Sequence, residues 1–156
     1  MSQGTLETGA LDSLGPIEYL IVEFPSGHVH ASAFHQFLEL ADRDLVRILD
    51  LEFVDRDPSG AVTLRDPVEV LTGVGGELAR FVGASSGLLD AADVAWIGEV
   101  VAPGNLAGIV VYENVWVAAM AAQLQGSGTR VVATGVIPAA ELEAALSGTG
   151  PAQSAD

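Results

Sequence analysis

Cysteine is absent from this 156-residue chain, and so is lysine. Without a thiol there is no disulfide framework, no thiolate nucleophile, no cysteine-ligated zinc and no iron–sulfur cluster. Basic residues number six, all arginine, against 21 acidic ones, a formal net charge of −15. With a pI near 4.2, few cations exist to displace counterions from a phosphate backbone, so nucleic acid is not an expected partner. Arginine without lysine, beside abundant Ala, Gly and Val, fits a GC-rich genome; a salt-adapted acidic surface is the alternative. Long apolar runs are also missing. The longest uncharged stretch, between Glu113 and Arg130, is broken by Asn114, Gln123, Gln125 and Gly126-Ser127-Gly128, and falls short of the ~20 apolar residues of a membrane span. The start, Met1 to Gly15, has neither the basic nor the apolar region of a secretory signal. These absences predict a soluble, cytoplasmic protein with no membrane insertion.

Apolar residues are nevertheless plentiful. They make up 49% of the chain and the mean hydropathy is +0.41, which argues against disorder despite the charge. The length suits one domain with a real core.

Residues 17–24, Ile-Glu-Tyr-Leu-Ile-Val-Glu-Phe, read as a strand ending at Pro25-Ser26-Gly27. Leu20, Val22 and Phe24 share one face, Ile17, Tyr19 and Ile21 the other. Helical spacing of Phe34, Phe37, Leu38, Ala41 and Leu45 predicts a helix over 31–44. Leu49, Leu51 and Phe53 alternate with Asp50 and Glu52, predicting a strand over 46–54. Asp55 to Gly60 is a turn, and a short strand near 61–64 completes a hairpin. Glycines weaken the signal from Asp66 to Gly87, where 77–82 suits one short helix. A helix over 88–101 follows, its first turn capped by Asp90-x-x-Asp93 and stopped by Pro103-Gly104. The remaining pattern predicts a strand at 106–112, a helix at 115–124 behind Asn114, a strand at 130–137 and a helix at 139–146 behind Pro138.

Strand 17–24, helix 31–44 and strand 46–54 make one β-α-β unit; 106–112, 115–124 and 130–137 make a second. Two such units predict an α+β, ferredoxin-like split β-α-β sheet with helices on one face. A doubly wound sheet is the runner-up. In this reading residues 16–146 form one domain, 55–105 are an insertion between the halves, and 1–15 and 147–156 are flexible tails. The core is expected to hold Leu20, Val22, Leu49, Leu51, Phe53, Val110 and Val132.

Several stretches resemble a known family: Gly15-Pro16-Ile17-Glu18-Tyr19-Leu20-Ile21-Val22-Glu23-Phe24-Pro25, Val46-Arg47-Ile48-Leu49-Asp50-Leu51, Gly87-Leu88-Leu89-Asp90, Ala102-Pro103-Gly104, Glu113-Asn114-Val115-Trp116 and Gly135-Val136-Ile137-Pro138. Together they resemble the actinobacterial DUF6325 proteins of unknown function, which are similar to the wider DUF1269 group. The resemblance spans roughly Gly15 to Leu146 and rests on order and spacing. It implies a soluble bacterial protein with no assigned activity and supplies no catalytic residues. Many DUF1269-type proteins carry a glycine-zipper membrane segment. Here the corresponding run, Gly73 to Gly83, is interrupted by Glu77 and Arg80.

All three histidines stand close in sequence, His28-x-His30-x4-His35, with Glu39 one helical turn beyond His35. Imidazoles at this spacing are candidate ligands for a transition metal; solvated side chains at a loop and helix start are the plainer reading. Gly73-x-Gly75-Gly76 lacks both the dinucleotide fingerprint and the P-loop lysine, and Ser85-Ser86-Gly87 is no nucleophile elbow. The carboxylates Asp50, Glu52, Asp55 and Asp57 read as a solvated face, the alternatives being acid–base work or Ca²⁺ binding. Trp116 is a candidate interface or core anchor. Trp96 falls off the Val94/Ile97/Val101 stripe, which points it at something else.

Tyr19 and Ile21 lie on a strand face that helices on the other side cannot cover, and an uncovered apolar patch invites a partner. The sequence therefore predicts a non-enzymatic self-associating or partner-binding module, a homodimer with Tyr19, Ile21, Trp96 and Trp116 at its interface and no cofactor. The alternatives are a metal-assisted enzyme using His28, His30 and His35, and a small-molecule sensor with an apolar pocket between sheet and insertion.

Overall fold

The computed structural model describes residues 14–72, 87–124 and 126–148. The expected helix at 77–82, the glycine run from Gly73 and Ser85-Ser86 lie outside them. The chain divides into two compact units, Met1–Gln123 and Leu124–Asp156.

The first unit is built on four strands, β1 (Ile17–Phe24), β2 (Arg47–Arg56), β3 (Val62–Arg65) and β4 (Leu106–Glu113). They form one open sheet in the order β1-β4-β2-β3, every neighbouring pair antiparallel. This excludes the doubly wound alternative. Since β4 lies between β1 and β2 and opposes both, β1 and β2 run parallel to each other. Helix α1 (Ala31–Asp42) joins them, as a split β-α-β connection requires.

The β2–β3 hairpin turns on Asp57, whose Oδ1 accepts from Ser59 Oγ at 2.6 Å and from the Ala61 N–H at 2.9 Å. Gly60, at φ +94°, supplies the left-handed residue that the turn needs. A short helix, α2 (Pro67–Leu71), follows. It is not among the elements expected from sequence; Asp66 Oδ1 accepts from the Val68 N–H at 2.9 Å, and Pro67 takes the first helical position. Helix α3 (Ala91–Val100) opens with the expected Asp90/Asp93 pair as a reciprocal capping box. Helix α4 (Val115–Leu124) follows β4 directly.

The sheet is buried from both sides. Leu51, Phe53, Leu106, Val110 and Phe24 pack with Phe34 and Leu38 of α1 and Leu71 of α2. On the opposite face Val54, Ala107 and Ile109 pack with Leu89, Ile97 and Val101 from the inserted segment. Gly108 lets Phe24 and Phe53 close over β4; a Cβ there would stand 3.2 Å from each ring. Among the described residues no helix is long and apolar enough to cross a membrane.

Two expectations fail. Residues 130–137 form no strand, so the second β-α-β unit is not made. Of the expected core, Leu51, Phe53 and Val110 are buried and Val22 and Leu49 half-buried, whereas Leu20 is 46% exposed and Val132 78%. Leu20 sits on a sheet edge and Val132 belongs to an unpaired segment. Leu20 has a paired strand on one side only and Val132 lies in no strand, so alternation alone does not bury either. The second unit holds helix α5 (Ala139–Leu146), with the expected bounds.

Candidate functional site

On the face of the sheet that carries the insertion, Ile21 of β1 pairs with Ile109 of β4, and Ile109 with Glu52 of β2. Helix α3 lies over part of this row. Between sheet and helix remains a groove of ≈ 250 Å³ lined by Tyr19, Ile21, Leu89, Asp93, Trp96, Ile97 and Ile109. Ile97 and Ile109 form buried walls, while Tyr19 is 54% exposed and Trp96 47%. Three of the four interface residues expected from sequence, Tyr19, Ile21 and Trp96, therefore share one groove. The fourth, Trp116, is half-exposed on α4 and is not among its lining.

The groove's walls are tied together at one end. Glu23, at the end of β1, accepts from the Ala102 N–H and from Asn105 Nδ2, both at 2.8 Å, which fastens the loop after α3 to β1. The Asn105 amide, and then the Ala102 N–H, hold the Glu23 carboxyl below the usual carboxylate range. Asn105 Oδ1 in turn accepts from the Ser26 N–H at 3.2 Å. Arg56 Nη1 donates to the Val101 carbonyl at 2.6 Å and binds the same loop to β2. Among the described residues Asp93 is the one carboxylate in the groove lining; the Asp90 N–H, donating to its Oδ2 at 3.1 Å, lowers its pKa.

Two carboxylates expected on a solvated face are buried instead. Asp50 and Glu52 are 1% and 3% exposed. The reason is register: they alternate with Leu51 and Phe53 and so face the side that the insertion covers, where Glu52 Oε1 accepts from the Gly87 N–H at 3.3 Å. Asp55 and Asp57 are half-buried around the hairpin turn. A third acid, Glu113, expected from sequence only as a charge near a helix start, is also buried. It accepts from the Gly15 N–H at 2.8 Å and meets Arg47 Nη1 at 3.4 Å.

The histidines are exposed: His28 ends the one-turn helix Pro25–Gly27, His30 precedes α1, and His35 lies within it. Among the described residues no three His, Asp or Glu side chains stand together as a group able to hold a metal ion.

An open antiparallel sheet, clad by helices on both faces and carrying an apolar groove, defines a small mixed α/β protein. The family model described as "Family of unknown function (DUF6325)" matches residues 13–150, and the chain belongs to that family. No curated protein and no solved structure matches it.

Proposed function

We propose that this protein is a non-enzymatic, self-associating module, a homodimer whose interface includes the groove between β1 and α3. The observation that carries this reading is the juxtaposition of Tyr19 and Trp96, two large aromatic side chains left half-exposed around one apolar groove. Aromatic residues so placed are typical anchors of an interface. The size of the groove supports a partner side chain as its occupant: it is smaller than the ~300–1,000 Å³ of most small-molecule pockets. The arrangement of β1, α1, β2 and β4 further supports a ferredoxin-like sheet as its framework.

Light scattering tests the reading. The wild-type protein at micromolar concentration is expected at twice the chain mass of 16.0 kDa, and Trp96→Ala is expected to shift the equilibrium to monomer while its circular dichroism stays native. A wild-type monomer would refute it. The sensor reading draws on the same groove; a small apolar molecule that raises the melting temperature of a wild-type monomer would favour it.

A further inference from the structure

Among the described residues the outer edge of β1 is open: in the order β1-β4-β2-β3 it has a strand on one side only. Such an edge is a row of unpaired backbone groups that templates another strand. This one is apolar on both faces, with Ile17, Tyr19 and Leu20 all exposed. Its eight residues are matched in length by 130–137, Arg-Val-Val-Ala-Thr-Gly-Val-Ile, which has strand composition but is assigned to no strand among the described residues. Val132, Val136 and Ile137 of that segment are exposed.

We propose that segment 130–137 of one copy adds as an antiparallel strand to the β1 edge of a second copy, and reciprocally, making a strand-exchanged homodimer. The inference rests on the homodimer reading above and specifies its contact. Three observations favour it. Leu20 and Val132, the two expected core residues that the chain leaves exposed, would lie on one face of the extended sheet, Val132 and Val136 continuing the row of Leu20, Val22 and Phe24. Val131, Ala133 and Ile137 would then continue the opposite row of Tyr19 and Ile21, enlarging the floor of the groove. Charge sign is also complementary: two copies at −15 repel each other, yet the segment's one ionic residue is Arg130 and those of β1 are Glu18 and Glu23. In this facing Arg130 shares the side of Phe24 and Glu18, opposite to that of Glu23. The turn before the segment holds Gly126 and Gly128 at positive φ, a natural hinge for exchange.

The test combines light scattering with cross-linking, made clean by the absence of native cysteine. Val132→Asp/Val136→Asp is expected to be monomeric at concentrations where the wild type is dimeric, with native circular dichroism, because both residues are exposed in the single chain. Mixed single variants Leu20→Cys and Val132→Cys are expected to form an oxidised cross-linked dimer containing one chain of each. A wild-type dimer unaffected by the two aspartates would overturn strand exchange and leave the homodimer standing. A Leu20→Cys/Val132→Cys double variant that cross-links only within a monomer would overturn it in favour of pairing inside one chain. A wild-type monomer would refute the homodimer itself.

Discussion

The backbone of Gly98 on α3 lies directly against Val62 on β3: a Cβ on Gly98 would stand 2.9 Å from Val62 Cγ1 and closer still to Cγ2. That approach seats the inserted helix on the hairpin and so fixes one wall of the groove. Gly98→Ala forces helix and strand apart, with an expected cost of about 1–3 kcal/mol, the usual scale of overpacking. Urea melts measure it, and Val62→Ala in the same chain is expected to restore much of the loss, since the two sites are in contact.

Leu51 and Phe53 are fully buried between α1 and the sheet. Truncating either to Ala is expected to cost about 2–5 kcal/mol, from lost transfer energy and the cavity left behind. Equilibrium denaturation reads this directly; a loss below about 0.5 kcal/mol, the scale of surface changes, would contradict the packing described.

Glu113 and Arg47 make an unequal pair. The Glu113 side chain is buried and also serves the Gly15 N–H, whereas the Arg47 side chain is 61% exposed. Glu113→Ala strands a buried donor, at an expected cost of about 1–3 kcal/mol. Arg47→Ala removes only a solvent-screened charge and is expected to cost no more than about 1 kcal/mol. Equal effects in paired thermal melts would show that the ion pair, not the N–H, carries the interaction.

Glu23 gives a pH signature. The Asn105 and Ala102 hydrogen bonds lower its pKa in the folded chain. Its stabilising contribution is thus present above the ordinary carboxylate range and lost as pH falls through the lowered folded value. Glu23→Gln is expected to melt below the wild type at neutral pH, with the gap closing on acidification. A gap that persists in acid would disprove the linkage.

Tyr112 has the opposite sign. Desolvation first, and the hydrogen bond that its hydroxyl donates to Glu18 at 2.9 Å, raise its pKa. Its contribution is present below the unfolded phenol value of about 10 and lost as pH rises through the folded one. Tyr112→Phe is expected to flatten the alkaline limb of the stability profile, as followed by melts between neutral and strongly alkaline pH.

Much of the fold was legible because local chemistry was strong where it mattered. Asp90 and Asp93 mark a helix start that the capping box realises, and the bounds of α4 and α5 follow from Asn114, the Gly126-Ser127-Gly128 turn and Pro138. What escaped depends on neighbours in space. The burial of Asp50 and Glu52 comes from the insertion folding over their side of the sheet, which their own charge argues against. The exposure of Leu20 and Val132 comes from strand order, which alternation does not encode. Within the site, Tyr19, Ile21 and Trp96 were each recognisable as apolar residues without an evident place in the core. That they meet in one groove while Trp116 does not is set by the packing of α3, a tertiary fact.

The pairing of β2 with β4 jumps from Ile48 opposite Tyr112 to Asp50 opposite Val111, leaving Leu49 as an extra residue. Side chains on either side of it are thereby read in opposite phase: Ile48 and Leu51 share a face although three positions separate them. This gives the strand an unusual tolerance to length change. Excising Leu49 keeps every cross-strand partner and every facing, whereas excising any residue from Asp50 to Val54 turns part of the strand inside out. Relatives aligned to this chain should carry their one-residue gaps at 49, and a gap elsewhere in the strand would mark a misalignment or a different sheet.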